Sequence, residues 1–270
     1  MKYIGIVCMA CLACVLFSLW IVHWIQSRQK QPMSRVKKTL LVMILTLALG
    51  VCGTFGYLQR YYPAGKEAKA SLESRDNVTV TELDYGYFFD GPSTDTAMIF
   101  YPGAKVETAA YAPLMNQLAQ HGIDCFLIEM PFHMALFYGN AAETVLSSYT
   151  YSEWILAGHS LGGNVASSFV QSHSESVDAL ILLASYPSQP LEGIRLCSIY
   201  GSKDGCLNRE QYDKNKKNWP SKSMEICIPG GNHAQFGDYG SQKGDGQATI
   251  SARSQQKKTA EIIVQFIKEE

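Results

Sequence analysis

Trp154-Ile155-Leu156-Ala157-Gly158-His159-Ser160-Leu161-Gly162-Gly163-Asn164 is an apolar run that meets a serine set between glycines and passes at once into a helical pattern. The G-x-S-x-G spacing serves one piece of chemistry. Gly158 and Gly162 let the backbone turn sharply, so the Ser160 hydroxyl stands clear above a sheet. Leu161, opening the helix, carries a backbone N–H suited to stabilising an oxyanion. A bare five-residue motif arises easily by chance as an ordinary glycine-rich turn. Here the strand–turn–helix context that the chemistry requires is also present, which favours a nucleophile.

Outward from this stretch the pattern is regular. Residues 78–81 and 85–89 form an opening antiparallel pair. Continuous apolar runs follow at 97–101, 125–129, 154–157, 179–184, 196–200 and 224–228, as expected of strands covered on both faces. Helical segments alternate with them at 109–121, within 135–149, and at 164–173, 209–217 and 250–268. This alternation predicts an α/β fold, a mostly parallel sheet with helices on both faces, over residues 77–270. Function then collects at the carboxyl ends of the strands.

A serine hydroxyl needs a base, and the base an orienting acid. In a fold of this kind they follow the serine in the order acid, then histidine. The strand at 196–200 runs into Gly201-Ser202-Lys203-Asp204-Gly205, which puts Asp204 in a tight turn. The single histidine beyond it is His233, in Pro229-Gly230-Gly231-Asn232-His233. Ser160, Asp204 and His233 are therefore the candidate catalytic residues. Glu192 and Asp213 are replacement acids if Asp204 only shapes its Asp-Gly turn. A second oxyanion donor is expected from Tyr101-Pro102-Gly103-Ala104-Lys105. Gly103 allows close approach, Pro102 has no N–H, and the Ala104 N–H is the candidate. His121, His159 and His173 read as ordinary elbow or helix-end histidines, and His133 as core or surface.

At this point the chain resembles the α/β-hydrolase superfamily, and more narrowly the small bacterial group called alpha/beta hydrolase family 5. The carriers are Tyr-Pro-Gly-Ala-Lys-Val-Glu at 101–107, Tyr111-Ala-Pro-Leu114, Met130-Pro131, Gly-His-Ser-Leu-Gly-Gly at 158–163, Gly-Ser-Lys-Asp-Gly at 201–205, and Gly-Gly-Asn-His-Ala-Gln-Phe-Gly-Asp-Tyr-Gly at 230–240. The resemblance covers about residues 80–270. It implies an α/β-hydrolase fold with Ser160 as nucleophile, His233 as base, Asp204 as its acid, and oxyanion donors from Leu161 and Ala104. It implies hydrolysis without naming a substrate. Cys206 departs from it, standing where an aliphatic residue is expected.

Composition separates two parts. The net charge is −1, with 47% hydrophobic and 17% charged residues, which excludes a polybasic nucleic-acid binder and an acidic disordered tail. Residues 1–59 nevertheless hold Lys2, Arg28, Lys30, Arg35, Lys37 and Lys38 and no acid, the first being Glu67. Uncharged runs at 4–25 and 39–58 are each long enough to span a hydrocarbon core of about 30 Å. Trp20, Trp24, Tyr57, Tyr61 and Tyr62 lie at their ends, where an aromatic belt sits. Two transmembrane helices are expected within an anchor of residues 1–59, with a signal peptide as the alternative for the first run. A multi-pass cell-membrane protein follows. The basic connector 26–38 favours the cytoplasmic side, so the body would face outward, although Arg60, Lys66, Lys69 and Arg75 pull the other way. Residues 60–76 read as a polar tether.

Several smaller expectations complete the sequence. The cysteines of the body, Cys125, Cys197, Cys206 and Cys227, read as free thiols acting as small hydrophobes, with a Cys206 link to Cys197 or Cys227 as an outside alternative. About seven residues separate Pro187 from Arg195, too few for a cap domain after the sixth strand. Residues 131–151, with Phe132, Met134, Leu136, Phe137 and Tyr138, are then the expected main pocket lining. Gly-Asp turns explain Asp238 and Asp245 better than a metal loop does. No metal and no cofactor are expected. The activity expected is a membrane-anchored carboxylesterase or lipase-like serine hydrolase acting on a small or lipid-like acyl ester. Acyl transfer, amide or thioester hydrolysis on the same triad, and a catalytically silent binding module are the alternatives.

Overall fold

The structure, a computed structural model, describes residues 2–29, 31–92 and 95–269, with the backbone alone over 2–10. Contacts divide the chain into Met1–Arg60 and Tyr61–Glu270.

The first unit contains α1 (Lys2–Ser27) and α2 (Arg35–Leu58), each reaching beyond the expected apolar runs. Ser34 caps α2, its side chain accepting the Lys37 N–H. The two helices pair antiparallel through buried Ser18, whose Oγ accepts from Thr46 Oγ1 at 3.0 Å. Of the two spans expected, α2 is long and apolar enough to cross a membrane. The described apolar stretch of α1, Cys11–Ser27, is shorter. The side chains of 4–10, Cys8 among them, and Lys30 of the connector lie outside the described residues.

The second unit is built on one eight-stranded sheet in the order β1-β2-β4-β3-β5-β6-β7-β8. These are β1 (Thr79–Leu83), β2 (Gly86–Asp90), β3 (Thr96–Tyr101), β4 (Asp124–Ile128), β5 (Glu153–His159), β6 (Ala179–Leu183), β7 (Arg195–Gly201) and β8 (Lys222–Ile228). β1 and β2 pair antiparallel, as do β2 and β4; from β4 to β8 every pairing is parallel. The two-residue period of a strand sorts β3 cleanly. Ala97, Ile99 and Tyr101 pack with Val165, Ala166 and Phe169 of α6 (Leu161–Ser172) and with Val145 of α5 (Ala141–Ser148). Met98 and Phe100 pack on the other face with Leu114, Met115 and Leu118 of α4 (Ala112–Gln120) and Ala260 and Ile263 of α8 (Ala252–Lys268). One expected strand departs from double cover. β8 is a sheet edge, with Glu225 and Cys227 pointing away from the core. Its register is aided by Lys216, which binds Glu225 at 2.8 Å just after α7 (Arg209–Asn215).

The segment 60–76, expected as a polar tether, is packed onto the body from Tyr61 onward. Tyr62 forms a parallel bridge with Val106: its N–H donates to the Lys105 carbonyl at 2.7 Å, and its carbonyl accepts from Glu107 at 3.0 Å. Ala64 donates to the Glu107 carboxylate at 2.7 Å. Gly65 donates to the Asp238 carbonyl at 2.6 Å, and Ala68, fully buried in α3 (Lys66–Ala70), to the Asp238 carboxylate at 2.9 Å. Backbone groups of this segment, not its polar side chains, make the hydrogen bonds that hold it to two loops, 101–107 and 230–240.

Candidate active site

Ser160 stands between β5 and α6 with φ 54° and ψ −122°, a conformation that costs a non-glycine residue about 1–3 kcal/mol. The surroundings impose it. Its N–H donates to the Leu183 carbonyl at 2.9 Å, and its carbonyl accepts from Ser185 Oγ at 2.7 Å. The turn is tight enough to exclude side chains. A Cβ on Gly158 would stand 2.6 Å from the Gly162 carbonyl carbon, and one on Gly162 2.3 Å from the Pro102 and Tyr101 carbonyl oxygens. The glycines thus bring β5, α6 and the loop after β3 together behind the serine.

Asp204 and His233 meet although 29 residues separate them: His233 Nδ1–H donates to Asp204 Oδ2 at 2.9 Å. Both side chains are buried, at 3% and 1% exposure. Asp204 Oδ1 accepts from the Cys206 and Leu207 amides at 2.9 and 2.8 Å, so the carboxylate is held at both ends. The alternative acids play other parts: Asp213 pairs with Arg209 and Lys216, and Glu192 is exposed. Ser160 and His233 line one cavity of about 400 Å³.

Two residues to which the sequence assigned no role at the site brace this pair. The Asp245 carboxylate accepts four backbone amides: Gly205 at 3.0 Å, His233 at 3.2 Å, Gly246 at 2.8 Å and Ala234 at 2.8 Å. It ties the Asp204 turn to the His233 turn. Gln255 of α8 completes the hold, exchanging hydrogen bonds with the Asn232 backbone at 2.9 and 2.8 Å. Asp238, read with Asp245 as a turn former, instead receives the segment after Tyr61.

The candidate oxyanion donors are open. Among the described residues no acceptor takes the Ala104 or Leu161 N–H, as expected of Leu161 at a helix start. Gly103 donates to the Tyr111 hydroxyl at 3.0 Å, and that hydroxyl shares a hydrogen bond with His159 Nδ1 at 2.7 Å. A Cβ on Gly103 would stand 2.7 Å from that nitrogen. His159, which reads as filling the elbow, lies with its ring 4.5 Å from that of His233. Burial, then the neighbouring His233, hold its pKa well below the usual histidine range. It stays uncharged beside the candidate base, and the base gains no repelling cation.

A family model described as an alpha/beta hydrolase family matches residues 97–257, more than half of the chain. The chain belongs to the alpha/beta hydrolase family. Solved structures of this fold are similar over the same region. Dienelactone hydrolase from Anabaena variabilis is 15% identical with a TM-score of 0.53, covering 71% of this chain and 98% of that one. Est1E from Butyrivibrio proteoclasticus is 13% identical with a TM-score of 0.50, covering 71% and 99%. Ferulic acid esterase from Streptomyces cinnamoneus is 18% identical with a TM-score of 0.51, covering 65% and 67%. No curated protein sequence matches the chain.

In this alpha/beta hydrolase the cavity at Ser160 has a different wall from the one expected. It is formed by Asn164, by 184–186 and Ser188 after β6, and by 206–208 after β7, with none of its lining from 131–151. The reason is local. The 131–139 segment folds into two 3-10 turns, Pro131–His133 and Ala135–Phe137, which turn Phe132, Leu136 and Phe137 to solvent. Positive φ angles concentrate here, at Lys105, Phe132, His133, Ser160 and Ala184.

The four body cysteines are free thiols, so Cys206 is linked to neither Cys197 nor Cys227. Burial, then the Asp245 and Asp204 carboxylates, push the Cys206 thiol up to about 11. Only about one molecule in a thousand carries the thiolate at pH 8. Iodoacetamide at pH 8 is therefore expected to alkylate Cys206 far more slowly than exposed Cys227, with the rate climbing toward pH 11; peptide mass spectrometry reads both sites. Equal rates at pH 8 would contradict the partly buried, acid-flanked setting.

Proposed function

We propose that this protein is a membrane-anchored serine hydrolase of carboxylic esters. The observation that carries the reading is the buried hydrogen bond from His233 to Asp204, joined in one cavity by Ser160 on its strained turn. In this reading Ser160 Oγ attacks the ester carbonyl and His233 Nε2 takes its proton. The carbonyl oxygen, now an anion, is received by the Leu161 and Ala104 amides. As the C–O bond breaks, the imidazolium returns the proton to the departing alcohol and leaves an acyl-serine. Water, deprotonated by His233, attacks that acyl group; its collapse releases the acid and restores Ser160. Asp204 keeps the Nδ1 proton in place and balances the imidazolium.

The names of two of the similar structures, a ferulic acid esterase and a dienelactone hydrolase, agree with ester cleavage. Anchoring is assigned to α1 and α2, with the basic connector at the cytoplasmic face and the hydrolase outside. A fluorophosphonate probe tests the nucleophile: wild type is labelled on Ser160, and Ser160→Ala takes up no label while its melting temperature is kept. Equal labelling of both proteins would refute the assignment.

A further inference from the structure

Within the described part of Tyr61–Glu270, the large hydrophobic side chains that stand exposed are Tyr61, Phe132, Leu136 and Phe137. They are gathered in one place. The Tyr61 ring lies 4.1 Å from that of His133, and the Phe132 and Phe137 rings meet edge-on at 5.8 Å. Leu136, 60% exposed, belongs to the same short turn as Phe137. Phe132 and His133 both hold φ at 55°, and each such residue costs about 1–3 kcal/mol. Strain is spent here to keep an aromatic side chain out of the core.

Four side chains are too few for a stable protein partner, which needs roughly 20–30 residues a side. They suit shallow insertion into a headgroup layer. Sequence agrees. The chain enters this patch at Tyr61, three residues after Leu58, the last residue of the apolar α2. In sequence Arg60, Lys66 and Lys69 flank Tyr61, and Lys105 is bonded through its N–H to the His133 carbonyl; basic residues of this kind accompany aromatics at an anionic lipid surface.

We infer that Tyr61, Phe132, Leu136 and Phe137 form a wedge that seats the catalytic body on a lipid surface. The wedge is bonded to the candidate oxyanion loop, because the His133 carbonyl accepts the Lys105 N–H at 2.7 Å, one residue from Ala104. The esters it favours are those dissolved in the bilayer. That second statement rests on the hydrolase reading; the seating does not.

The test uses the full chain in vesicles of phosphatidylcholine and phosphatidylglycerol. Phe137→Trp, after subtraction of wild-type emission, is expected to lose about half or more of its fluorescence to brominated lipid. Lys257→Trp, on the exposed side of α8, is expected to lose none. Equal quenching at the two positions overturns the wedge. The double variant Leu136→Asp/Phe137→Asp is expected to hydrolyse a long-chain ester carried in the vesicles about tenfold more slowly. Its rate on dissolved p-nitrophenyl acetate should stay within about twofold of wild type. Parallel loss on both esters, or loss on neither, overturns the preference for bilayer esters. Wild type inactive on both esters would instead count against the hydrolase reading, and the quenching result would stand by itself.

Discussion

Asp204→Asn is expected to leave the protein folded and to lower kcat on a dissolved ester by about 10⁴-fold. The argument follows from two sets of hydrogen bonds. Asp204 Oδ1 accepts the Cys206 and Leu207 amides, and an asparagine keeps that oxygen in place. Its amide nitrogen then replaces Oδ2, the acceptor of the His233 Nδ1 proton. A donor now faces Nδ1, so the imidazole turns over its tautomer and carries its proton on Nε2. In that form His233 cannot take a proton from Ser160. The turn stays built, so the melting temperature should move little while steady-state kinetics collapse. Activity within tenfold of wild type would show that another group orients the base.

Asp245→Ala removes a different kind of support. Four amides lose their acceptor at once, two of them in the His233 turn and one in the Asp204 turn. Leaving a buried amide unpaired costs about 1–3 kcal/mol. Here the cavity of about 460 Å³ beside Asp245 admits water to replace part of the loss. A destabilisation of roughly 2–4 kcal/mol is expected, read by denaturant unfolding. Misplacing His233 relative to Ser160 should also cost about 10²-fold in kcat with KM little changed. Asp245→Asn keeps one oxygen for the Gly205, His233 and Gly246 amides, so most of both losses should return. A stability loss with kcat intact would reduce Asp245 to a purely structural brace.

What was legible in the sequence and what was not divide by range. The elbow around Ser160 is a local matter, since three glycines and an apolar run lie within eleven residues of one another. Asp204 and His233 were also within reach, because each follows directly on a strand end and the topology orders them. The sheet alternation carried the same information, failing only at β8, where an apolar run turned out to be an edge. Asp245 was not legible: its partners lie 11, 12 and 40 residues away, and an aspartate between two glycines reads first as a turn. Tyr111 and His159 escaped for a related reason. Their contact spans 48 residues, and neither residue type alone marks a link to the Gly103 loop. The 131–151 stretch misled because its apolar residues suit a pocket lining. Two consecutive left-handed residues, which no pattern of hydrophobicity encodes, turned them outward.

The packed segment after Tyr61 alters where the enzyme begins. Its bond from Ala68 to Asp238 closes a span of 170 residues, and its bonds at Lys105, Glu107 and Asp238 grip the loop on each side of the site. A protease that cuts between Leu58 and Tyr61 would release a whole catalyst. One that cuts at Arg75 would free a body whose two working loops have lost a shared splint. A cut that leaves the body whole and a cut that undoes its splint are thus separated by fewer than twenty residues of chain.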